Sequence, residues 1–229
     1  MTITSSPNHA LMTTVAVATA VGMTVAVTGC GADHDAEGAG ATTSASASPS
    51  AKRAQENACG GMTIDHSAPI TSSSDLVIDA PVDRIWDVHT DVESWDEWQP
   101  TVLTIERLDP GPFASDSQFR WTTPLPETAF SPADTMVVTS SVKQMKPGKC
   151  LLWEGPGAGE SIKIDKGIHL WTFTETDEGT LVHTEESWDA DLLATLDPAD
   201  ADSVATQLGG GLETWLQLLK AEAEAAVEE

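Results

Sequence analysis

Two residues in the carboxy-terminal half of the sequence have side chains suited to moving a proton. His169 lies in an alternating segment at 162–174, and Glu185 lies in the next one, at 180–188. A turn near 177–179 joins the two segments, so antiparallel pairing allows both side chains to share one face. A buried carboxylate near an imidazole shifts the pKa of each group, and together they could serve as acid and base on a substrate carbonyl. The alternatives are that they only hydrogen-bond a ligand, or that Glu185 faces solvent.

Around this pair, the sequence concentrates aromatic side chains in a pattern that favours a binding cavity. The chain has eight tryptophans, four phenylalanines and no tyrosine. Aromatic walls with one or two polar groups suit a flat or ring-containing apolar molecule, because most of the ligand leaves water while few hydrogen bonds orient it. Strand alternation and helical spacing give as predicted ligand-binding residues Phe119, Trp121, Trp153, His169, Trp171, Phe173, Glu185, Leu212 and Trp215. The alternative is that these rings fill a solid core.

The segment DVESWDEWQP at residues 91–100 places two further tryptophans among four acidic residues. Thr90 and Glu93 have the spacing of a capping box, which predicts a short helix starting there. We expect Trp95 and Trp98 to brace this helix against the carboxy-terminal helix, near the mouth of the cavity. If both rings were instead exposed, they would favour a module that binds a partner protein.

Composition excludes several classes of function. The 229 residues carry a formal net charge of −25, and residues 75–229 contain 31 acidic and nine basic side chains. Such a surface repels phosphate backbones, so nucleic-acid binding is not expected. The sequence has no Ser-centred nucleophile motif, metal-ligand spacing or phosphate-binding glycine loop, so we expect no metal and no cofactor. The adjacent Asp33, His34 and Asp35 are expected to be solvated.

The order of elements predicts an α+β fold in which one long helix covers an antiparallel sheet. Helix starts are indicated at Pro81 and Pro198, and a bulge is expected near Gly167. Gly209–Gly211 interrupt the apolar stripe of the last helix and indicate either a kink or a close backbone approach. Most turns are short enough to require antiparallel pairing. The predicted strands are 75–79, 102–108, 117–122, 135–145, 150–154, 162–174 and 180–188.

These segments resemble the START-like, or SRPBCC, superfamily, and within it the bacterial polyketide cyclase/dehydrase and lipid-transport group. The resemblance implies a helix-grip fold for residues 74–229, with a seven-stranded curved antiparallel sheet around a long carboxy-terminal helix, two short helices after strand 1, and an apolar cavity. The segment 124–133 is longer than the hairpin typical of the family. The resembling stretches, in family order, are APVDRIWDVHTDVESWDEWQP (80–100), SQFRWTT (117–123), VTSSVKQMKPGKCLLWEG (138–155), IHLWTFTETDEGTLVHTEESW (168–188) and LETWLQLLK (212–220).

The amino terminus has the features of an export signal. Residues 10–27 are uncharged and apolar apart from threonines, and Val27-Thr28-Gly29-Cys30 resembles the bacterial lipobox, in which diacylglycerol attaches to the cysteine thiol. We expect 1–29 to be a lipoprotein signal peptide and Cys30 to anchor the chain on the outer face of the cytoplasmic membrane, or the chain to be released. No Lys or Arg precedes Lys52, so the usual positive segment is missing. An uncleaved anchor or a misassigned start codon is the alternative.

A small-residue segment follows the lipobox. Residues 30–73 are rich in Ala, Ser, Gly and Thr and are predicted to form a flexible tether. Cys59 near its end and Cys150 in the domain could form a disulfide outside the cytoplasm. The sequence does not show whether the two cysteines are close enough to do so.

These features lead to one principal hypothesis and two competitors. The principal hypothesis is a membrane-tethered extracytoplasmic protein that binds a small hydrophobic ligand, such as a lipid, a sterol-like molecule or an aromatic polyketide. The first competitor is a cyclase/dehydratase-like or hydrolytic enzyme that uses His169 and Glu185 as acid and base. The second is an envelope interaction module, whose protein partner the sequence does not identify.

The lipobox hypothesis makes a direct prediction. Replacing Cys30 with Ser should abolish metabolic labelling of the chain by a radioactive or clickable fatty acid, because the thiol that accepts the lipid is lost. Cys59→Ser serves as the control and should remain labelled. Unchanged labelling of the Cys30→Ser chain would contradict the lipid anchor.

Overall fold

A computed structural model of the chain describes residues 58–128 and 131–225. The predicted signal peptide, the lipidated Cys30 and the triplet at 33–35 lie outside these residues, as does most of the predicted tether. Within the described part of the chain, no helix is both long and apolar enough to span a bilayer.

In residues 58–128 and 131–225, seven strands form one antiparallel sheet, as the alternating segments predicted. The strands are β1 Ile70–Ile78, β2 Thr104–Arg107, β3 Gln118–Leu125, β4 Asp134–Lys146, β5 Cys150–Ala158, β6 Lys163–Thr176 and β7 Gly179–Asp189. In sheet order they run β1-β7-β6-β5-β4-β3-β2, so each strand from β2 to β6 pairs with the next one along the chain, and β1 pairs with β7 at the opposite edge. The observed α+β architecture, with helices after β1 and at the end, confirms the predicted helix-grip fold.

The sheet curves where β5 meets its neighbours. The β5–β6 register shifts between Gly155, which pairs with Gly167, and Gly157, which pairs with Ile164. The bulge predicted near Gly167 therefore lies next to that residue. A Cβ atom at Gly155 would lie 1.8 Å from the carbonyl oxygen of Thr139. Only glycine permits this close backbone approach, so the bent sheet requires glycine at position 155.

Two short helices and a long one cover the concave face. They are α1 Val82–Thr90, α2 Trp95–Trp98 and α3 Pro198–Ala225, with 3₁₀ turns at Val92–Ser94 and Leu193–Thr195. The predicted capping box at Thr90 is wrong: the Thr90 hydroxyl donates to the Trp86 carbonyl at 2.8 Å and so belongs to the end of α1. A hydroxyl bound one turn back cannot cap the helix that follows.

Helix α3 is continuous through its three glycines and runs alongside β1. A Cβ atom at Gly209 would lie 2.7 Å from Ser72 Oγ, whereas one at Gly210 or Gly211 would meet nothing within 4 Å. Further along, Lys220 Nζ donates to the Val77 carbonyl at 3.3 Å. Of the two explanations for the glycines, a close approach of the helix backbone applies at Gly209, where the neighbour is the Ser72 side chain.

Two separate apolar clusters hold α3 against the sheet. One contains Trp215, Leu216 and Leu219 of α3, together with α1, α2 and the sheet residues beneath them. The other contains Val204, Leu208 and Leu212 near the start of α3, packed with Ile70, Met136, Ile164 and Leu193. The helix thus contacts the sheet through two neighbouring stretches, 204–212 and 215–219.

A third cluster lies on the convex face, under residues 58–69. Cys59 forms a disulfide with Cys150, with Cα atoms 5.5 Å apart, and Ile64 packs in the same cluster as Leu152 and Leu170. Lys146 Nζ donates to the Ala58 carbonyl at 2.8 Å. The predicted tether boundary at residue 74 is therefore too late, because 58–69 pack on the domain and β1 begins at Ile70.

Candidate ligand cavity

A cavity of about 470 Å³ lies under α3, lined by side chains of both clusters, among them Met136, Leu208 and Leu212 of the second and Trp153 and Trp215 of the first. Small-molecule sites commonly have volumes of about 300–1,000 Å³. Its floor comes from β3 to β7, and its cover comes from α3. Four lining residues are exposed and define the rim of its opening: Pro124 and Pro126 on one side, Gln207 and Gly211 on the other.

Five of the nine predicted ligand-binding residues line this cavity, namely Trp121, Trp153, His169, Leu212 and Trp215. The other four do not. Phe119, Trp171 and Phe173 are buried in the first apolar cluster, so for them the alternative of core filling holds. Glu185 lies on the opposite face of the sheet. The sequence missed several lining residues, among them Met136, Val138, Glu186, Trp188, Gln207 and Gly211.

The closed end of the cavity is a wall of interlocked aromatic rings. Trp215 contacts Trp121, with ring centroids 5.8 Å apart, and Trp171, at 6.1 Å. Behind it, Trp95 is fully buried and meets the Trp215 ring edge to face at 5.2 Å. Trp98 contacts Trp215 at 6.3 Å. The predicted bracing of the short helix against α3 is confirmed, but it occurs behind the closed end and not at the mouth.

His89, on α1, is enclosed by this aromatic wall. Its ring is fully buried, lies 4.2 Å from the Trp171 centroid and is stacked on Trp95 at 5.9 Å. Neither ring nitrogen has a hydrogen-bond partner in the described structure. Burial lowers the pKa of His89 to about 3, so the ring is neutral at physiological pH and packs as an aromatic side chain.

The cavity wall carries a short chain of polar side chains on β6 and β7. His169 Nε2 lies 2.8 Å from Thr184 Oγ1, and His169 Nδ1 lies 3.6 Å from Glu186 Oε2. Trp188 Nε1 donates to Glu186 Oε1 at 2.8 Å. The residue across from His169 in the sheet is therefore Glu186, and the expectation that His169 and Glu185 share one face is wrong.

The strand register explains this correction. β6 and β7 pair Thr176 with Gly179, so only two residues form the turn and His169 falls opposite Glu186. Because side chains alternate between faces, a shift of one residue moves a side chain to the other side of the sheet. A two-residue turn at Asp177-Glu178 places Glu186 on the face of His169, whereas a three-residue turn at 177–179 would place Glu185 there. Nothing in the local sequence distinguishes the two turns.

Burial sets the protonation states of His169 and Glu186. Desolvation raises the pKa of Glu186 to about 7, while the bond from Trp188 opposes the rise. Desolvation lowers the pKa of His169 well below 6.5, and nearby His89 lowers it further. The Glu186 side chain nevertheless stays 18% exposed, since it lines the cavity. At neutral pH the site thus holds a neutral imidazole and a carboxyl group that is partly ionised.

Glu185 takes part in a different arrangement on the convex face. His183 lies between two carboxylates, with Nδ1 2.7 Å from Asp75 Oδ1 and Nε2 2.8 Å from Glu185 Oε1. Desolvation opposes protonation of His183, but the bonds to both acids outweigh it and raise its pKa to about 9. In residues 58–128 and 131–225, no cluster of three or more His, Cys, Asp or Glu side chains could hold a metal ion.

A curved antiparallel sheet that grips a long helix over an apolar cavity defines a START-like protein. Residues 69–224 match the model of the family described as polyketide cyclase / dehydrase and lipid transport, and the chain belongs to this family. Among curated proteins, no sequence matches this chain significantly.

Solved structures share the fold at low sequence identity. A START superfamily protein from Mycobacterium smegmatis has a TM-score of 0.55 and 15% identity, over 68% of this chain and 98% of that one. The di-domain ARO/CYC StfQ from the steffimycin biosynthetic pathway has a TM-score of 0.54 and 18% identity. That match covers 70% of this chain and 52% of StfQ, about half its length. A hypothetical protein from Helicobacter pylori has a TM-score of 0.52 and 17% identity, over 70% of this chain and 91% of that one.

The His183 arrangement predicts a pH dependence of stability. A histidine whose pKa is raised to about 9 in the folded state, from about 6.5 unfolded, stabilises the fold fully below pH 6.5. This contribution is lost as the pH rises to 9, and it amounts to roughly 3 kcal/mol at most. We expect the free energy of unfolding, measured by urea titration, to fall between pH 7 and 9.5.

In the His183→Gln variant this fall should largely disappear, and stability at pH 6 should be lower than in the parent. His66→Gln is the control, because His66 is exposed and hydrogen-bonds Thr63, while its charge acts on Glu185 only through space. It should keep the fall in stability between pH 7 and 9.5. A parent profile that is flat from pH 7 to 9.5 would show that His183 is not held protonated.

Proposed function

We propose that the chain binds a small hydrophobic ligand in the cavity under α3. The observation that carries this proposal is the open volume of about 470 Å³ lined by side chains of both apolar clusters. A cavity of this size costs packing energy wherever it is left empty. Family membership supports the same conclusion, since the description of the family includes lipid transport.

The lining suits a ligand that is mostly apolar and has one polar end. Side chains such as Trp121, Trp153, Met136 and Leu212 would bury the apolar part. Glu186 and His169 lie together on one wall and would orient the polar end. A lipid, a sterol-like molecule or an aromatic polyketide has this division of character.

The proposed location is the cell envelope, with the chain tethered through a lipid on Cys30. The lipobox-like sequence at 27–30 supports this. The Cys59–Cys150 disulfide also supports it, because disulfides persist in oxidising compartments and are rare in the bacterial cytoplasm.

Acid–base catalysis is the second candidate, and the pKa of Glu186 favours it. A carboxyl group with a pKa of about 7 can both give and take a proton at physiological pH. In this alternative, Glu186 replaces Glu185 as the partner of His169. Turnover of a carbonyl-containing ligand that His169→Ala abolishes, with the fold intact, would favour the enzyme over the carrier.

Binding can be tested with a panel of lipids, sterols and aromatic polyketides added to the purified full-length chain. Because Trp121, Trp153 and Trp215 line the cavity, an occupant should shift or quench their emission. Native mass spectrometry should detect the same molecule, or one that copurifies. If emission stays constant for every compound and no adduct is found, the ligand-binding proposal fails.

The opening of the cavity offers a sharper test with a matched control. Gly210 and Gly211 are both exposed helical residues at which an added Cβ atom would meet open space, but only Gly211 lines the rim. Leucine at either position should favour the helix by a similar amount, roughly 1 kcal/mol relative to glycine. We expect Gly211→Leu to slow association with a panel ligand several-fold, measured by stopped-flow fluorescence, and Gly210→Leu to leave it unchanged. Equal rates in the two variants would place ligand entry elsewhere.

A further inference from the structure

The charge inside the cavity is of one sign. Among the described residues that line it, Glu186 is the only acid, and there is no Lys or Arg. The sole other titratable lining group in those residues is His169, which burial keeps neutral. A ligand carboxylate or phosphate would therefore enter a site that offers no positive charge and already holds a partly ionised acid.

The hydrogen bonds of Glu186 leave one oxygen available. Oε1 accepts the Trp188 indole N–H at 2.8 Å. Among the described residues, no hydrogen bond is seen to Oε2, and His169 Nδ1 lies 3.6 Å from it, beyond normal hydrogen-bond distance. An ionised carboxylate accepts hydrogen bonds only, and it has about four lone-pair sites to fill. The group that completes this site must therefore bring hydrogen-bond donors.

Aromatic rings line the same cavity as the carboxyl group. Trp188 hydrogen-bonds to it through the indole N–H, and the His169 ring beside it lies 4.8 Å from the Trp153 ring centroid. Trp121 and Trp215 form the adjacent wall, 5.8 Å apart, and all four tryptophans line the cavity. Indole faces attract cations more strongly than other aromatic side chains, and the attraction grows when water is excluded.

Resting on the proposed function, we infer that the preferred ligand is an apolar amine, whose protonated nitrogen binds Glu186 Oε2 while its hydrocarbon part occupies the tryptophan-lined space. The ammonium group supplies both the missing donors and the missing positive charge. It also converts Glu186 to its ionised form, which buries an ion pair in place of a lone acid. The net charge of −25 raises the local concentration of cations around the opening.

Three probes with the same tail test this inference: 4-phenylbutylamine, 4-phenylbutan-1-ol and 4-phenylbutanoate. Isothermal titration of the full-length chain at pH 7.5 should show the amine binding about tenfold or more tighter than the alcohol. The carboxylate should bind weakest. In Glu186→Gln, which keeps an acceptor for Trp188 but loses the charge, the preference for the amine over the alcohol should disappear.

The control variant is Glu175→Gln. It removes one exposed carboxylate near the last residue of β6, away from the cavity lining. It reproduces the change in overall charge and should keep the amine preference.

A second measurement does not depend on any variant. Because the pKa of Glu186 is about 7, the ratio of amine to alcohol affinity should rise between pH 6 and 8. His169 is neutral over this range, and the described lining residues of α3 and of β3 to β5 carry no titratable side chain.

The outcomes separate this inference from the function on which it rests. If the alcohol or the carboxylate binds as tightly as the amine, the amine inference is overturned and hydrophobic binding stands. An amine preference that survives Glu186→Gln, or that Glu175→Gln also removes, overturns it as well. If no probe binds, the inference fails, and the proposed function fails with it only when the wider panel of lipids, sterols and polyketides is silent too.

Discussion

The structure depends on how α3 is held above the sheet. The helix is fixed at two places, by Leu208 and Leu212 packed with the start of β1 and by Trp215 and Leu219 packed with α1 and α2. These two contacts lie in successive turns of the helix, and Val204, Leu208, Leu212 and Trp215 all line the cavity. Close packing is the norm in protein interiors, so the open volume lies where α3 and the sheet face each other across large side chains. The cavity is the space that these side chains leave unfilled.

The same arrangement explains the unusual use of tryptophan. On the closed side, Trp95, Trp171 and the edge of Trp215 interlock as a solid core. On the open side, Trp121, Trp153 and the other part of Trp215 face the cavity. Large, stiff rings serve both purposes, because they fill the core while forming a wall that does not collapse when the cavity is empty. The two explanations for the tryptophans, core and lining, thus hold for different members of one cluster.

The fold followed from sequence because its signals are periodic and repeated. Seven alternating segments, short turns and one long apolar stripe all point to the same architecture, and errors of a few residues in their bounds do not alter it. Site residues on regular strands, such as Trp153 and His169, were also predictable. Their faces follow from alternation within a single strand.

Other features depend on contacts between residues that are far apart in sequence, and no local pattern reveals such contacts. Whether Glu185 or Glu186 faces the cavity depends on the strand register, and one residue more or less in the turn would change it. Residues 58–69 have the composition of a tether, yet they are held by contacts with Leu152 and Leu170, about a hundred residues away in sequence. Gly209 is explained only by Ser72 on β1. In each case the decisive partner is remote along the chain, so neither composition nor periodicity reveals it.

The disulfide also holds residues 58 and 59 at one end of the domain. Residue 58 meets the domain at Lys146, one end of β4, whereas the rim residue Pro126 precedes the other end of that strand, which begins at Asp134. Thirteen residues of extended strand separate these ends, a span on the order of 40 Å. Residue 58 therefore lies at the pole opposite the opening. In the proposed function, ligand entry and the amino-terminal tether would use opposite ends of the domain and would not compete for one surface.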